Sequence, residues 1–467
     1  MKRALALISA PLTLAACATV PVADGEALSA RLERDIGASP FWARDATAEE
    51  QTRDQVAAIL ARPLSADAAV QIALLNNPRV TAAFEGLGVA RADFVDAALP
   101  SPPFLHFMEL RPQDGDPNVL KYGIGFDLSR LVTLPAALGS AEGAREAARA
   151  EATAELLGVA SQARGAWIDY AQARQIADLM AQAAETADAA AAAADALLAA
   201  GNIAQVERDR EALFAAEIGI ANAQAQAALV PAHEKLIAAL ALRPEQAQLL
   251  ISLERLPPPP DTPIARQDLE SRVIGASTDL AVAMGALQAA RADQSISWLT
   301  SLLPGLAAES ERERDDGGWK EGFGLSWMAP LFDLGGADRL RRASTERRAT
   351  ALAEALDLEL RAEARARLAQ AEAARQIALT RRTVILPLSA DVFDGAVRDF
   401  NAMEIGILQL LQERRARLEA GRATIAATAD YWRAQAALDL LLAGARRTEA
   451  APLSAPAAGA RAPDPGH

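Results

Sequence analysis

Two stretches of this chain, 136–199 and 337–399, are built largely from Ala, Leu, Arg, Gln and Glu, the strongest helix formers. At 1.5 Å per residue each predicts a helix on the order of 90 to 100 Å long. A compact domain of this size cannot enclose such rods, so they must lie side by side as coiled coils. Composition supports this. Hydrophobic residues make up 51% of the chain but aromatics only 4%, and much of the hydrophobic share is alanine, a strong helix former. The net charge is −14 and no run of Lys and Arg stands out, which argues against a nucleic-acid partner.

The long helices belong to a duplicated unit. Ala90-Arg91-Ala92-Asp93 returns as Ala290-Arg291-Ala292-Asp293, and Lys121-Tyr122-Gly123-Ile124-Gly125-Phe126 returns as Lys320-Glu321-Gly322-Phe323-Gly324-Leu325. Each half reads as a helix, a strand pair and two long helices. The predicted helices are 66–98, 136–199 and 204–241 in the first half, and 267–301, 337–399 and 406–444 in the second. This divides the chain into an N-terminal segment 17–65, a first repeat 66–243, a linker 244–266 carrying the stiff Pro257 to Pro260 run, a second repeat 267–444 and a tail 445–467. Pro231 and Pro387 fall inside predicted helices and predict kinks, because proline removes a hydrogen bond there.

The first sixteen residues have the layout of a secretory signal: a basic start at Lys2-Arg3, an apolar core from Ala4 to Leu14 and small residues before Cys17. Cys17 is the only cysteine, which excludes an internal disulfide. Leu14-Ala15-Ala16-Cys17 resembles a bacterial lipobox, in which the cysteine is lipidated, each buried methylene of the acyl chains contributing about 0.8 kcal/mol of membrane affinity. Ala18 lacks the acidic residue associated with inner-membrane retention. The alternative is a secreted protein from which Cys17 is cut away.

Two hairpins, 103–130 and 304–328, carry the period-two signal of strands. Tyr122, Ile124, Phe126 and Leu128 alternate with small or polar residues, as do Phe323, Leu325 and Trp327. Strands of about nine to eleven residues can cross a bilayer when tilted, with one row facing lipid and the other a lumen. The alternative is a hairpin lying on a soluble core, and Glu309, Glu311 and Glu313 make the third strand weakly apolar. Four strands cannot close a barrel, and an open edge in lipid leaves backbone groups unpaired. Three chains would pool twelve strands, whereas two give eight, a barrel filled by its own side chains. Trp298, Trp319 and Trp327 suit a membrane-interface belt, or equally core packing.

The duplicated order, Pro330-Leu331-Phe332-Asp333 with Gly335-Gly336 after the last strand, and the lipobox together resemble the TolC-like outer-membrane efflux proteins, in their lipoprotein branch. The resemblance covers nearly the whole mature chain. It implies a mainly α fold with a small transmembrane β-barrel: a homotrimer with four strands per protomer, a coiled-coil α-barrel through the periplasm and an equatorial belt. It also implies a passive export duct in the outer membrane, fed by an inner-membrane pump through a periplasmic adaptor. The adaptor would meet the helix-pair turns Gly201-Asn202-Ile203 and Met403-Glu404-Ile405-Gly406. The alternative is that these turns touch only solvent.

In the family, acidic residues just after the second tip commonly form the pore constriction. The matching positions here are Gln409 and Gln412, three apart on one helical face, so amide rings replace the carboxylates and the focused negative potential is lost. The alternative is that both glutamines lie in a helix interface.

No enzyme chemistry or cofactor is indicated. His106, His233 and His467 lack metal-ligand spacing, and Gly335-Gly336 is not followed by the Lys of a phosphate loop. A periplasmic coiled-coil lipoprotein scaffold without a pore is the competing class, and a protein-secretion or metal-efflux duct the competing role within the fold.

Overall fold

A computed structural model describes residues 22–42, 45–110, 119–250, 252–265, 267–298, 305–315, 318–328 and 333–446. Cys17, His467, Pro330 to Phe332 and most of both hairpin loops lie outside the described residues. In chain order the elements are α1 (Val22–Ile36), α2 (Ala46–Leu60), α3 (Ala66–Asn76), α4 (Pro78–Ala98), β1 (Phe104–Leu110), β2 (Val119–Asp127), α5 (Ser129–Ala199) and α6 (Gln205–Ala239). There follow α7 (Pro244–Ala247), α8 (Leu269–Ala276), α9 (Thr278–Ser295), β3 (Ala307–Asp315), β4 (Gly318–Ser326), α10 (Gly336–Thr380), a π-helical segment Arg381–Ile385, α11 (Leu386–Asn401) and α12 (Ile407–Ala443).

Several elements differ from the expected ones for local reasons. The helix expected over 66–98 is two, because Asn77 precedes Pro78 and takes an extended backbone, ψ 124°. The helix expected over 267–301 also breaks, at Ser277, with ψ 118°. These breaks stand two hundred positions apart, a further trace of the duplication. The helix expected from 136 begins at Ser129 and runs through Pro135. In the helix expected over 337–399, the π-helical segment lies just before Pro387, where its wider turn accommodates a residue that lacks an N–H and whose ring would clash with the carbonyl four residues back in a regular α-helix. By contrast α6 continues through Pro231.

The chain divides into two compact units, each drawing on both halves of the duplication. The first takes Met1–Leu28, Ala83–Thr153 and Thr278–Glu359 and contains the sheet. Within it α5 and α9 cross at a glycine pair: a Cβ on Gly143 would stand 2.5 Å from the Gly285 carbonyl oxygen, and one on Gly285 the same distance from that of Gly143. Only residues without a Cβ permit so close an approach.

The second unit takes Ser29–Ala82, Ala154–Ser277 and Leu360–His467. Its core is thin and built at coiled-coil spacing. Ala177, Met180, Ala184 and Ala187 of α5 recur at intervals of three and four, and Ala364, Ala371 and Ala378 of α10 at seven, all buried. Two tryptophans tie surrounding loops to this bundle: Trp167 donates to the Leu64 carbonyl at 2.8 Å and Trp432 to that of Pro257 at 2.7 Å. Arg375 donates to the carbonyls of Pro260 and Asp261 at 3.2 and 2.9 Å. The proline run is therefore fastened along its acceptors, the only backbone polar groups that proline keeps.

Candidate functional site

In the first unit the strands pair antiparallel in the order β1-β2-β3-β4, so the two hairpins join through β2 and β3. Directly opposed residues of an antiparallel pair share a face. One face therefore carries Leu105 and Phe107, Tyr122, Ile124 and Phe126, Ala308, Ser310 and Arg312, then Phe323 and Leu325. Phe323 is 91% and Leu325 72% exposed, so among the described residues nothing covers these side chains. Leu128 and Trp327 lie just beyond the strand ends, the first half-buried and the second exposed.

The opposite face carries Lys121, Gly123, Gly125, Glu309, Glu311, Glu313, Lys320, Gly322 and Gly324. Lys121 Nζ lies 3.0 Å from Glu313 and 3.8 Å from Glu311. The alternation is incomplete in β1, whose Phe104 and His106 rings lie over Gly125 and Gly123 on this polar face. A Cβ on either glycine would stand 2.1 or 2.4 Å from the ring above it. It is also incomplete in β3, where Arg312 and Arg314 enter the apolar face. Arg312 pairs there with Glu321, and the Arg314 guanidinium sits 5.7 Å from the Trp319 ring centre. Tyr122 meets the same indole edge-on at 5.4 Å. Among the described residues β1 and β4 leave their outer edges without a strand partner.

Downstream of β4, Asp333 opens α10. Its carboxylate accepts from the backbone N–H groups of Gly335 at 2.9 Å and Ala337 at 3.2 Å, which hold its pKa below the usual carboxylate value. The Asp-x-Gly-Gly motif is thus a helix cap.

In the second unit the two helix-pair turns are built alike. Gly201 takes φ +75°, with its N–H on the Leu198 carbonyl and that of Asn202 on Leu197, both at 2.9 Å. Met403 takes φ +62°, with its N–H on Phe400 at 3.0 Å and that of Glu404 on Asp399 at 2.9 Å. Both are Schellman caps with the left-handed residue at the same place. Ile203 and Ile405 follow two residues later. Ala204 and Gly406 then cap α6 and α12, the Ala204 N–H donating to Glu207 at 3.0 Å.

Gln409 and Gln412 are both exposed on the first turns of α12, while Leu411 between them enters a core with Ala184, Ala187, Phe214, Ala215 and Ile218. Behind them stands a group the periodicity analysis missed. Arg414 stacks on Phe214 at 4.9 Å with Glu211 at 4.0 Å, Arg415 pairs with Glu217 at 2.5 Å, and Arg417 stacks on Phe393 at 5.0 Å with Asp394 at 3.5 Å. These arginines fasten α12 to α6 and α11. Burial raises the Glu211 pKa against the attraction of Arg414 and lowers that of Arg414 against the attraction of Glu211. The Arg-Arg-x-Arg run was visible in sequence, but its partners come from other helices.

No protein-family model matches the sequence, and no curated protein matches it. Solved structures do match. The outer membrane protein VceC of Vibrio cholerae superposes with a TM-score of 0.67 at 16% identity, covering 81% of this chain and 96% of that one. The CmeC outer membrane channel of Campylobacter jejuni gives 0.64 at 13% identity, over 84% of this chain and 86% of that one. The MtrE outer membrane channel of Neisseria gonorrhoeae, in its open state, gives 0.59 at 17%, over 80% and 88%. At such identities the likeness concerns architecture, and the architecture is unambiguous: this chain has the fold of the TolC-like outer-membrane channels.

Proposed function

We propose that three copies of this chain form a passive duct in the outer membrane of a tripartite efflux system, receiving cargo from an inner-membrane pump through a periplasmic adaptor. The observation that carries this reading is the sheet. An in-register apolar face left uncovered among the described residues, a polar and glycine-rich face behind it, and two edges without a strand partner among the described residues are what a fraction of a transmembrane barrel requires. Three such sheets would close edge to edge, with Tyr122, Ile124, Phe126, Leu128, Phe323, Leu325 and Trp327 toward lipid and the glutamates toward the lumen.

The helical unit supports assembly as well. Val206, Leu213 and Ile220 stand at heptad spacing on α6 and are all more than half exposed, a seam suited to a neighbouring helix. The helix Gln205–Ala239 is long and apolar enough to cross a bilayer by composition, but the seam accounts for the same residues. In this reading the two turns meet the adaptor, Gln409 and Gln412 ring the constriction, and Cys17 carries the acyl anchor. Nothing in the reading calls for an enzymatic step or a cofactor, since the pump supplies the energy.

Carbonate extraction of outer membranes tests it with the chain carrying Cys17→Ser, which removes the acyl anchor. A strand-spanning trimer stays in the pellet, whereas a scaffold held only by lipid leaves with the supernatant and would sink the reading.

A further inference from the structure

We propose that Met403 is the apolar anchor with which the second turn seats its protein partner, the thioether side chain entering an apolar pocket on that partner. The inference rests on the reading of these turns as the adaptor-facing end.

Three observations lead to it. The caps at Gly201 and Met403 share one hydrogen-bond pattern, and that pattern places one residue in the left-handed region. Glycine occupies it at the first turn, as the geometry favours, whereas methionine occupies it at the second and carries the steric cost of a Cβ there. Met403 is also 93% exposed, the most exposed large hydrophobic side chain among the described residues, so it gains no packing within its own chain to offset that cost. Finally, the ionic groups near the first turn are already engaged. Arg208 binds Asp195 at 2.5 Å and Asp209 at 3.1 Å, and Glu207 caps Ala204. Beside the exposed polar Asn202 and Glu404, the apolar side chains that the turns offer outward are Met403, Leu197 and Leu408, each more than two-fifths exposed. A flexible, polarisable side chain presented on a strained cap is suited to enter a pocket.

The test separates binding from folding, because the two respond with opposite sign. A photocrosslinking benzoylphenylalanine at Ile203, on the other turn, reports partner occupancy in intact cells as the yield of adduct with the periplasmic adaptor, while thermal midpoints are read on each purified full-length protein. Met403→Gly relieves the backbone, so its midpoint should hold or rise, yet adduct yield should fall about tenfold, the scale of losing an interface anchor. Met403→Leu, which keeps an apolar side chain, should retain most of the yield. Undiminished adduct from Met403→Gly overturns the proposal. Absence of adduct from the unaltered chain, with the crosslinker at Ile203 or Ile405, overturns the underlying reading of the turns and this proposal with it.

Discussion

Asp169 of α5 accepts from Lys235 of α6 at 2.7 Å and from Arg433 of α12 at 2.9 Å, and so ties three helices of the second unit. Burial alone would raise its pKa, but these two cations outweigh burial and hold it below the usual value. A depressed carboxylate stabilises the fold above its unfolded pKa and loses that contribution as pH falls through the folded one. Asp169→Asn should therefore cost about 1–2 kcal/mol at pH 7, a difference that starts to fade as pH falls past the ordinary carboxylate value and is gone only below the depressed folded one. Asp439 of the same bundle behaves oppositely. Burial raises its pKa despite the hydrogen bond from Gln435 and the charge of Arg164. Its ionisation opposes folding at neutral pH, so Asp439→Asn should melt at or above the unaltered protein at pH 7 and lose that margin as pH falls toward the ordinary carboxylate range. Thermal midpoints across pH for both variants check the signs. Neither residue was legible beforehand, since a carboxylate in an alanine-rich helix reads as a solvated face until its partners on other helices are known.

The helix crossing in the first unit gives the sharpest element-scale expectation. Gly143→Ala puts a methyl group against the Gly285 carbonyl, and since the clashing atom is backbone the helices must part. We expect a loss of about 1–3 kcal/mol, the usual cost of overpacking, and little loss for Gly158→Ala, where a Cβ would meet nothing within 4 Å. Denaturant midpoints of the two variants make the comparison. Elements themselves were largely legible. Alternation found all four strands, though their bounds shifted by a few residues, as in β2, which runs over Val119–Asp127 and not from Lys121 to Arg130, and helix propensity found every long helix. The breaks at Asn77 and Ser277 were hidden for different reasons: one needed the effect of Pro78 on its predecessor, the other has no local signal. The fastening of the proline run by Trp432 and Arg375 could not have been read from composition, because both donors lie more than a hundred residues away.

For the whole molecule, the strand pattern implied pooled sheets before any coordinates, because backbone groups cannot stay unpaired in lipid. The polar face of the sheet was only half legible: the alternating glutamates of β3 were plain, whereas the cover of Gly123 and Gly125 by His106 and Phe104 depends on register. The account predicts a detergent-extracted particle of three chains, to be weighed by light scattering; a stable monomer would leave the sheet edges unexplained. A duct of this kind must hold an aqueous path across the membrane. The most direct measurement is single-channel conductance of the purified protein in planar bilayers, alone and with Gln409→Asp and Gln412→Asp combined. The account predicts discrete conductance steps, with the double variant shifted toward cation selectivity because a carboxylate ring restores a focused negative potential at the constriction. A silent bilayer from intact trimers of both proteins, with the turns opened by neither added charge nor applied voltage, would contradict it.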